Sequence, residues 1–514
     1  MSSLTSYFET SFNNQQEQWE KSLLTELKLT EVGSKTIKKL ISGQNWPTLS
    51  LKARNEIRLT TEEVWKKASI TYVQLEPSEI AFVIKEDLKS GVRNFFFHQE
   101  ALSSQKWQEI EKTLCDFTRP EELEVFILGE GDYRSSKIKV ISHFVSGKEV
   151  HDQGGHSIQE LATLAHNLVQ NLETIKDIVY LGVYVDSHFF HNIAKIRAAK
   201  LLAKKILLEA KKDATIKVVA LTSYQGWTLY ERYSNILRNE TAVASAYIGG
   251  ADHVQSAGYN AIFELETDNH PEKEHIERSR RLARNTTHIL ALESMLGVVE
   301  DAAYGSFHLE NLTEALCEES WKLMQSLLTG ANLENEVTEV REKRLEMVKT
   351  RKIIMSGMND YPDVKEHLNL QFKKPTLFRV ARIFEELRLR MEKNPKRPKV
   401  YVALYGEYSA LNARLNFVKN YFELLGLEVH EPGQTMMDLN TLKKDLATCG
   451  EEIIVLCSLD EHYPALQELA SQVNTPYRFI AGKYEMNSFQ NLFAGQNIYE
   501  VLENLVIAFE GRKS

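Results

Sequence analysis

The residues of this chain with the most obvious chemistry are its 15 histidines and 4 cysteines, and their spacing limits what they can do. Cys115, Cys317, Cys449 and Cys457 are scattered without metal-type spacing, so they read as reduced thiols. The densest group is Asp152 to Gly155 with His151 before it and His156 after it. Such a run could hold a ligand or supply a general base. Asp and Gly are equally the residues of a turn, and a lone loop histidine such as His151 reads as a surface or capping residue. Ser223 and His191 would need an acidic partner to act as nucleophile and base, and no Asp stands in a triad-like context. Gly129-Glu130-Gly131 is a two-glycine turn rather than a phosphate cradle. His430 and His462 read as ordinary surface histidines. No residue therefore earns a catalytic, cofactor-binding or metal-ligating assignment.

The elements that would position these side chains are clearest between Ile216 and Asn260. Ile216 to Leu221 is an apolar run of strand length. The loop TSYQGWTLYERYS follows, and then apolar residues at helical spacing from Asn235 to Ile248, stopped by Gly249–Gly250. His253 to Ala257 reads as the next strand. A long loop at the C-terminal end of its strand is where barrel enzymes place chemistry. The aromatic residues of 224–233 read as packing for a barrel mouth or a subunit interface.

Strand and helix signals alternate on either side of this unit. Helices are expected at Glu79–Leu88, Trp107–Leu114, Gln159–Leu172, Phe189–Ala210, Glu274–Leu296 and Thr313–Leu328. Strands are expected at NFFFHQ, Leu123–Leu128 and Ile178–Val185. Alternation over this length without a Gly-rich dinucleotide motif favours a (β/α)8 barrel over an open sheet. The charged stretch Glu334 to Lys352 and the basic NPKRPK run mark a linker. Strands at Val400–Leu404, Glu428–Val429, Ile453–Cys457 and Tyr477–Ile480, with a helix at Leu415–Leu425, suggest a small doubly wound domain of the flavodoxin type. The α/β chain thus divides into an arm at 1–50, a barrel at 51–335, a helical linker at 336–396 and the second domain at 397–514. The arm is polar, with a short amphipathic helix around Leu23, Leu24, Leu27 and Leu29.

Composition excludes several classes. A net charge of −9 argues against nucleic acid as a main partner. Hydrophobic and charged contents of 43% and 26% are those of a soluble globular protein. Lys204–Lys205 and Lys211–Lys212 read as solvated helix faces. No signal peptide opens the sequence and no apolar run is long enough to span a membrane, so the expected location is cytoplasmic, with no membrane partner.

TSYQGWTLYERYSNILRNE followed by IGGAD, then RLARNTTHILALES from Arg281 to Ser294 and VVEDAAYGSFHLENLTEAL from Val298 to Leu316, resemble the methylmalonyl-CoA mutases in their small-subunit form. IAKIRAAKLLAKKI, Ile193 to Ile206, fits as well, and the likeness covers most of the chain beyond the arm. The resemblance implies that the barrel closes, that the second domain is of the cobalamin-binding type, and that the N-terminal arm wraps another subunit.

It also implies a set of losses. Catalytic relatives carry an Asp-x-His-x-x-Gly loop after the first strand of the cobalamin domain. Aligned on Gly406, those positions fall on Tyr408, Ala410 and Ala413, and alanine cannot coordinate a metal. A Tyr-His pair falls on Lys148 and Glu149, or reaches His151 if the alignment slips by two residues. A Gln falls on Leu221, a cofactor-contacting Glu on Ala261, and an early Tyr-containing motif has no match near residues 50–80. The reading that follows is a non-catalytic small subunit binding no cofactor itself. It pairs with a large catalytic subunit that holds adenosylcobalamin and the acyl-CoA, in an isomerase complex interconverting (R)-methylmalonyl-CoA and succinyl-CoA. Two rivals stand beside it: a mutase-like enzyme on another acyl-CoA with His151 or His156 as base, and an acyl-CoA binding module.

Overall fold

The computed structural model describes residues 37–39, 45–47, 67–72, 77–98 and 102–510, apart from position 118 and short stretches at 129–132, 143, 268–272, 300, 395, 433–437, 471–472 and 474. The amphipathic helix expected near Leu23 and most of the 50–80 region lie outside these residues. The first described elements, β1 (Ile37–Lys39) and β2 (Asn45–Pro47), form an antiparallel pair.

Eight strands then build one wholly parallel sheet. They are β3 (Lys67–Tyr72), β4 (Asn94–His98), β5 (Glu124–Leu128), β6 (Lys139–Ile141), β7 (Val145–Ser146), β8 (Ile178–Val185), β9 (Thr215–Thr222) and β10 (His253–Ser256). Their order is β6-β5-β4-β3-β10-β9-β8-β7, so the first strand of the set pairs with the last. The β8–β9 ladder is the longest, running from Ile178↔Thr215 to Val185↔Thr222. Both strands are near-continuous apolar runs, as strands covered on both faces must be. The short strands β6 and β7 had no signal in the sequence, because three and two residues are too few to show a period.

Helices fill the connections: α1 (Pro77–Lys89), α2 (Ser104–Cys115), α3 (Lys148–Asp152), α4 (Ser157–Gln170), α5 (Phe189–Glu209), α6 (Ser234–Ile248), α7 (Ala261–Glu266), α8 (Lys273–His288) and α9 (Phe307–Leu328). Leu161, Leu164, Ile193, Ile196, Val218, Ala220, Val243 and Tyr247 belong to one buried cluster between sheet and helices. Arg197 on α5 is fully buried. Its guanidinium donates to Asp301 at 3.0 Å, Glu310 at 2.9 Å and Thr313 at 3.1 Å, tying α5 to α9. The single long helix expected over Glu274–Leu296 is instead α8 followed by a π-helical turn at Ile289–Glu293. The chain reverses there with Met295 at φ 53° and Gly297 at φ 83°, conformations a helix cannot continue through.

Beyond α9 the chain forms α10 (Glu334–Lys349), an irregular stretch, and α11 (Arg382–Glu392). A second parallel sheet follows with the order β12-β11-β13-β14-β15: β11 (Val400–Tyr405), β12 (Val429–His430), β13 (Ile453–Ser458), β14 (Tyr477–Ala481) and β15 (Gln490–Leu492). Helices α12 (Tyr408–Glu423), α13 (Leu439–Thr448), α14 (Tyr463–Ala470) and α15 (Ile498–Glu510) connect and cover it. One buried cluster joins Tyr224, Trp227 and Tyr230 of the loop after β9 to Phe384 and Leu387 of α11 and to Val402, Leu415 and Leu502 around the second sheet. These three loop aromatics are thus inside the molecule, while Tyr233 at the end of the loop is exposed.

Candidate functional site

At the C-terminal ends of β7, β8 and β9 a short helix is pressed unusually close to its neighbour. Gly147 begins α3, and a Cβ there would lie 2.2 Å from the carbonyl oxygen of Glu160. Only glycine allows this approach. The consequence is that α3 stacks His151 on Tyr184 of β8, ring centroids 3.9 Å apart and planes nearly parallel, with Nδ1 3.4 Å from Glu160 Oε2. His151 is 7% exposed, so the expectation of a surface or loop histidine is corrected. The expected turn is present at Gln153–Gly154, but His151 lies before it, on α3, and faces inward.

Glu160 from α4 is the centre of the group. Its Oε2 receives Lys195 Nζ of α5 at 2.5 Å, and its Oε1 accepts the Tyr184 N–H at 3.0 Å. Lys195 also donates to the Tyr184 carbonyl at 2.8 Å. Burial alone would raise the carboxyl; Lys195 and His151 outweigh it and hold Glu160 down at about 2. Burial pushes the Tyr184 hydroxyl well above the ordinary phenol range, so it stays protonated. The arrangement is a carboxylate already committed to an ammonium and a backbone N–H, with an imidazole at its edge. That geometry orients a histidine, yet it leaves the carboxylate little freedom to take up a proton in a reaction.

His156 sits where turn chemistry put it. Its Nδ1 accepts the Gln159 N–H at 3.3 Å while Gln159 Oε1 accepts the His156 N–H at 3.0 Å, a capping box opening α4. Burial, with Arg344 nearby, lowers it to about 4, which keeps Nδ1 free to accept. His191 pairs with Ser157 at 2.8 Å rather than with Ser223, and burial lowers it to about 4 as well. Ser223 is buried, with its N–H donating to Val185 O at 2.8 Å. Lys148 and Glu149 are exposed, and Lys148 pairs with Asp152 at 2.5 Å. Leu221 packs inside the sheet with Phe96, Phe126 and Tyr180, and Ala261 is buried at the start of α7. His151 is thus the sequence-predicted residue that the structure brings into a polar cluster. Glu160, Tyr184 and Lys195 were missed. The available signal was Lys195, a charge interrupting the apolar run Ile193–Ala194–Ile196 along α5.

Two further side chains reach the group from outside. Gln225, in the loop after β9, donates its Nε2 to the His151 carbonyl at 2.5 Å, and its Oε1 accepts from Arg344 Nη1 of α10.

The expected cobalt ligand set would stand at the carboxyl ends of the second sheet. The stretch YGEYSALNAR is not a loop beyond Glu407. Helix α12 starts at Tyr408, so the residues expected in a ligand loop occupy its first turns. Tyr408, Ala410 and Ala413 are exposed, and neither alanine offers a donor atom. Arg414 Nη1 spans the strand ends, donating to Ser458 O at 2.6 Å and Ala481 O at 3.1 Å and pairing with Asp460 at 2.8 Å. His462 engages Ser458 Oγ through Nδ1 at 3.0 Å and lies against Gly406. These residues do not fit a cobalt-coordinating loop. Among the described residues no group of three or more His, Cys, Asp or Glu side chains is placed to hold a metal, and no helix is long and apolar enough to cross a membrane.

The family model described as methylmalonyl-CoA mutase matches residues 132–404. The chain is 28% identical over 345 residues to the methylmalonyl-CoA mutase small subunit of Porphyromonas gingivalis, covering 61% of this chain and 53% of that one. It is 28% identical over 393 residues to the small subunit of Streptomyces virginiae, with coverages of 68% and 62%. The small subunit of Propionibacterium freudenreichii subsp. shermanii is 26% identical over 381 residues, with coverages of 66% and 57%. The chain therefore spans little more than half the length of the curated relatives it matches.

Proposed function

Because the chain belongs to the methylmalonyl-CoA mutase family, we propose that it is the non-catalytic subunit of a two-subunit, adenosylcobalamin-dependent mutase acting in the cytoplasm. Its partner, the large subunit, holds the cofactor and interconverts (R)-methylmalonyl-CoA and succinyl-CoA; this chain buries and positions that partner. We read the eight-stranded sheet as a (β/α)8 barrel and the second sheet as a flavodoxin-type, cobalamin-binding-like domain. First-to-last strand pairing supports the former and the 2-1-3-4-5 order the latter. The observation that carries the functional reading is Ala410, an exposed methyl where a lower-face cobalt ligand would stand, behind strand ends tied together by Arg414.

The test is a titration of the purified chain with adenosylcobalamin, followed in the visible spectrum, beside the same titration of the co-expressed complex. The chain alone is expected to leave the spectrum unchanged, and the complex to bind and turn over. A base-off, His-on spectrum from the chain alone at micromolar concentration overturns the proposal. The rival reading, an enzyme on another acyl-CoA, draws on the pairing of His151 with Glu160 and is tested separately by His151→Ala in the complex.

A further inference from the structure

The irregular stretch before α11 lies across the ends of the strands. Phe372 bridges Thr267 and the Lys373 N–H donates to Glu266 O at 2.7 Å, which anchors the stretch after β10. The Phe378 N–H donates to Asp152 O at 2.7 Å, after β7, and the Val380 N–H to Gln225 O at 3.0 Å, after β9. Between them Arg379 is fully buried. Its guanidinium donates to Trp227 O at 2.9 Å, Glu266 at 2.7 Å and Glu385 at 2.6 Å, and Glu385 in turn accepts the Leu229 N–H at 2.7 Å. The Phe378 ring covers Gly154, where a Cβ would meet it at 2.8 Å. Asp152 follows His151 at the end of α3, and Gln225 grips the His151 carbonyl, so Phe378 and Val380 hold the sequence neighbour of His151 and the loop residue bonded to it.

We infer that residues 372–380 are a strap that shuts the β7–β10 side of the strand ends over the His151–Glu160–Lys195 cluster and detaches as a unit before the sheet itself opens. The physical basis is unequal anchoring. The strap reaches the loops by three single backbone hydrogen bonds, the Lys373 ammonium on Glu264 O at 3.4 Å and one buried arginine, whereas β9 is held to β8 by a continuous ladder from Ile178↔Thr215 to Val185↔Thr222. The inference concerns this chain alone and holds whether or not a partner subunit exists.

Two measurements on the full-length chain test it. The first is carbethoxylation by diethyl pyrocarbonate, read residue by residue by mass spectrometry, with the exposed His188 as internal reference. His151 is expected to react at least on the order of tenfold more slowly than His188, and Phe378→Ala, which removes the ring over Gly154 and keeps the backbone bond, is expected to close most of that gap. Equal rates in the unsubstituted chain, or an unchanged His151 rate in a folded Phe378→Ala variant, overturn the strap. Should the variant unfold, shown by reaction of the deeply buried His253, the second measurement decides. It is native-state hydrogen exchange of the unsubstituted chain. The Phe378 and Val380 amides are expected to exchange together and faster than those of Val218 to Leu221. Exchange as slow as that ladder refutes the inference.

Discussion

At the scale of single residues, the His151 group is a buried ion pair with an imidazole at its edge, and its parts are unequal. Lys195 offsets the charge of Glu160 where almost no water reaches, since the side chains are 5% and 2% exposed. Removing one member of such a pair is far costlier than removing both. Lys195→Met is therefore expected to lower unfolding stability by about 3–5 kcal/mol. Adding Glu160→Gln, which keeps an acceptor for the Tyr184 N–H, should recover a large part of that loss. Chemical denaturation of the two variants checks this, and a double variant no more stable than the single one contradicts it. Acidity probes the same residues. His156 and His191 are lowered to about 4 from 6.5, so the unfolded chain binds their protons first as pH falls. Their contribution is whole above 6.5 and declines toward 4. Glu160, held at about 2 against an ordinary 4.5, contributes above 4.5 and loses its contribution from there down to 2. Both effects run in one direction, so the thermal midpoint should fall steadily from pH 6.5 toward 2. His156→Asn, which keeps a capping side chain, should flatten the upper part of that curve. A midpoint flat from pH 7 to 4 in the unsubstituted chain contradicts the assignment.

At the scale of elements, the long ones were legible and the short ones were not. Strand Ile178–Val185 appears as its apolar run dictates, and α6 and β9 lie within one residue of the positions their patterns indicate. Hydrophobic period and Gly stops suffice where eight or more residues repeat. The His151 site fails that condition. It depends on a two-residue strand, a five-residue helix and the contact of Gly147 with Glu160, none of which leaves a period in the sequence. His151 looked like a loop residue because HDQGG carries turn chemistry; the turn is real but begins only after the histidine, at Gln153. The start of α12 was missed for a related reason: an expected loop was laid over YSALNAR, whose Ala, Leu and Arg are good helix formers. The glycine contact is itself testable. Gly147→Ala must move α3 away from α4, and overpacking of this kind costs about 1–3 kcal/mol. The His151–Tyr184 stacking should loosen with it. The readout is a faster reaction of His151 with diethyl pyrocarbonate together with a lower midpoint; an unchanged midpoint would mean that the helix shifts freely and that Gly147 places nothing.

At the scale of the whole molecule, the chain is joined through its middle. Tyr230 donates to Glu392 at 2.9 Å and lies under the guanidinium of Arg388, whose own donors reach the Asp363 and Glu366 carbonyls at 2.6 Å. The loop after β9, the stretch before α11 and the second sheet therefore share one core, and the strand ends of the first sheet face inward on the β7–β10 side. A molecule built this way has no open mouth on that side, so in the proposed complex its remaining surfaces are the ones that would meet a partner. Exposed apolar side chains gather at Ile289, Leu292, Met295 and Val299, on and just beyond the π-helical turn. An obligate pairing should bury more than roughly 2,000 Å² in total. Co-expression with a large-subunit homologue is therefore expected to yield a stable heterodimer in size-exclusion chromatography with light scattering. Deleting residues 1–45 should weaken it if the polar arm takes part. Inside that heterodimer, His151→Ala removes the imidazole set 3.4 Å from the Glu160 carboxylate. Because Glu160 remains neutralised by Lys195, the variant should fold and assemble, and mutase turnover should stay near that of the unsubstituted complex. The loss of a group that stabilises a transition state commonly costs on the order of a hundredfold or more in rate. A fall of that size in an intact heterodimer would place this chain's own site in the reaction, and the supporting role proposed for it would have to be given up.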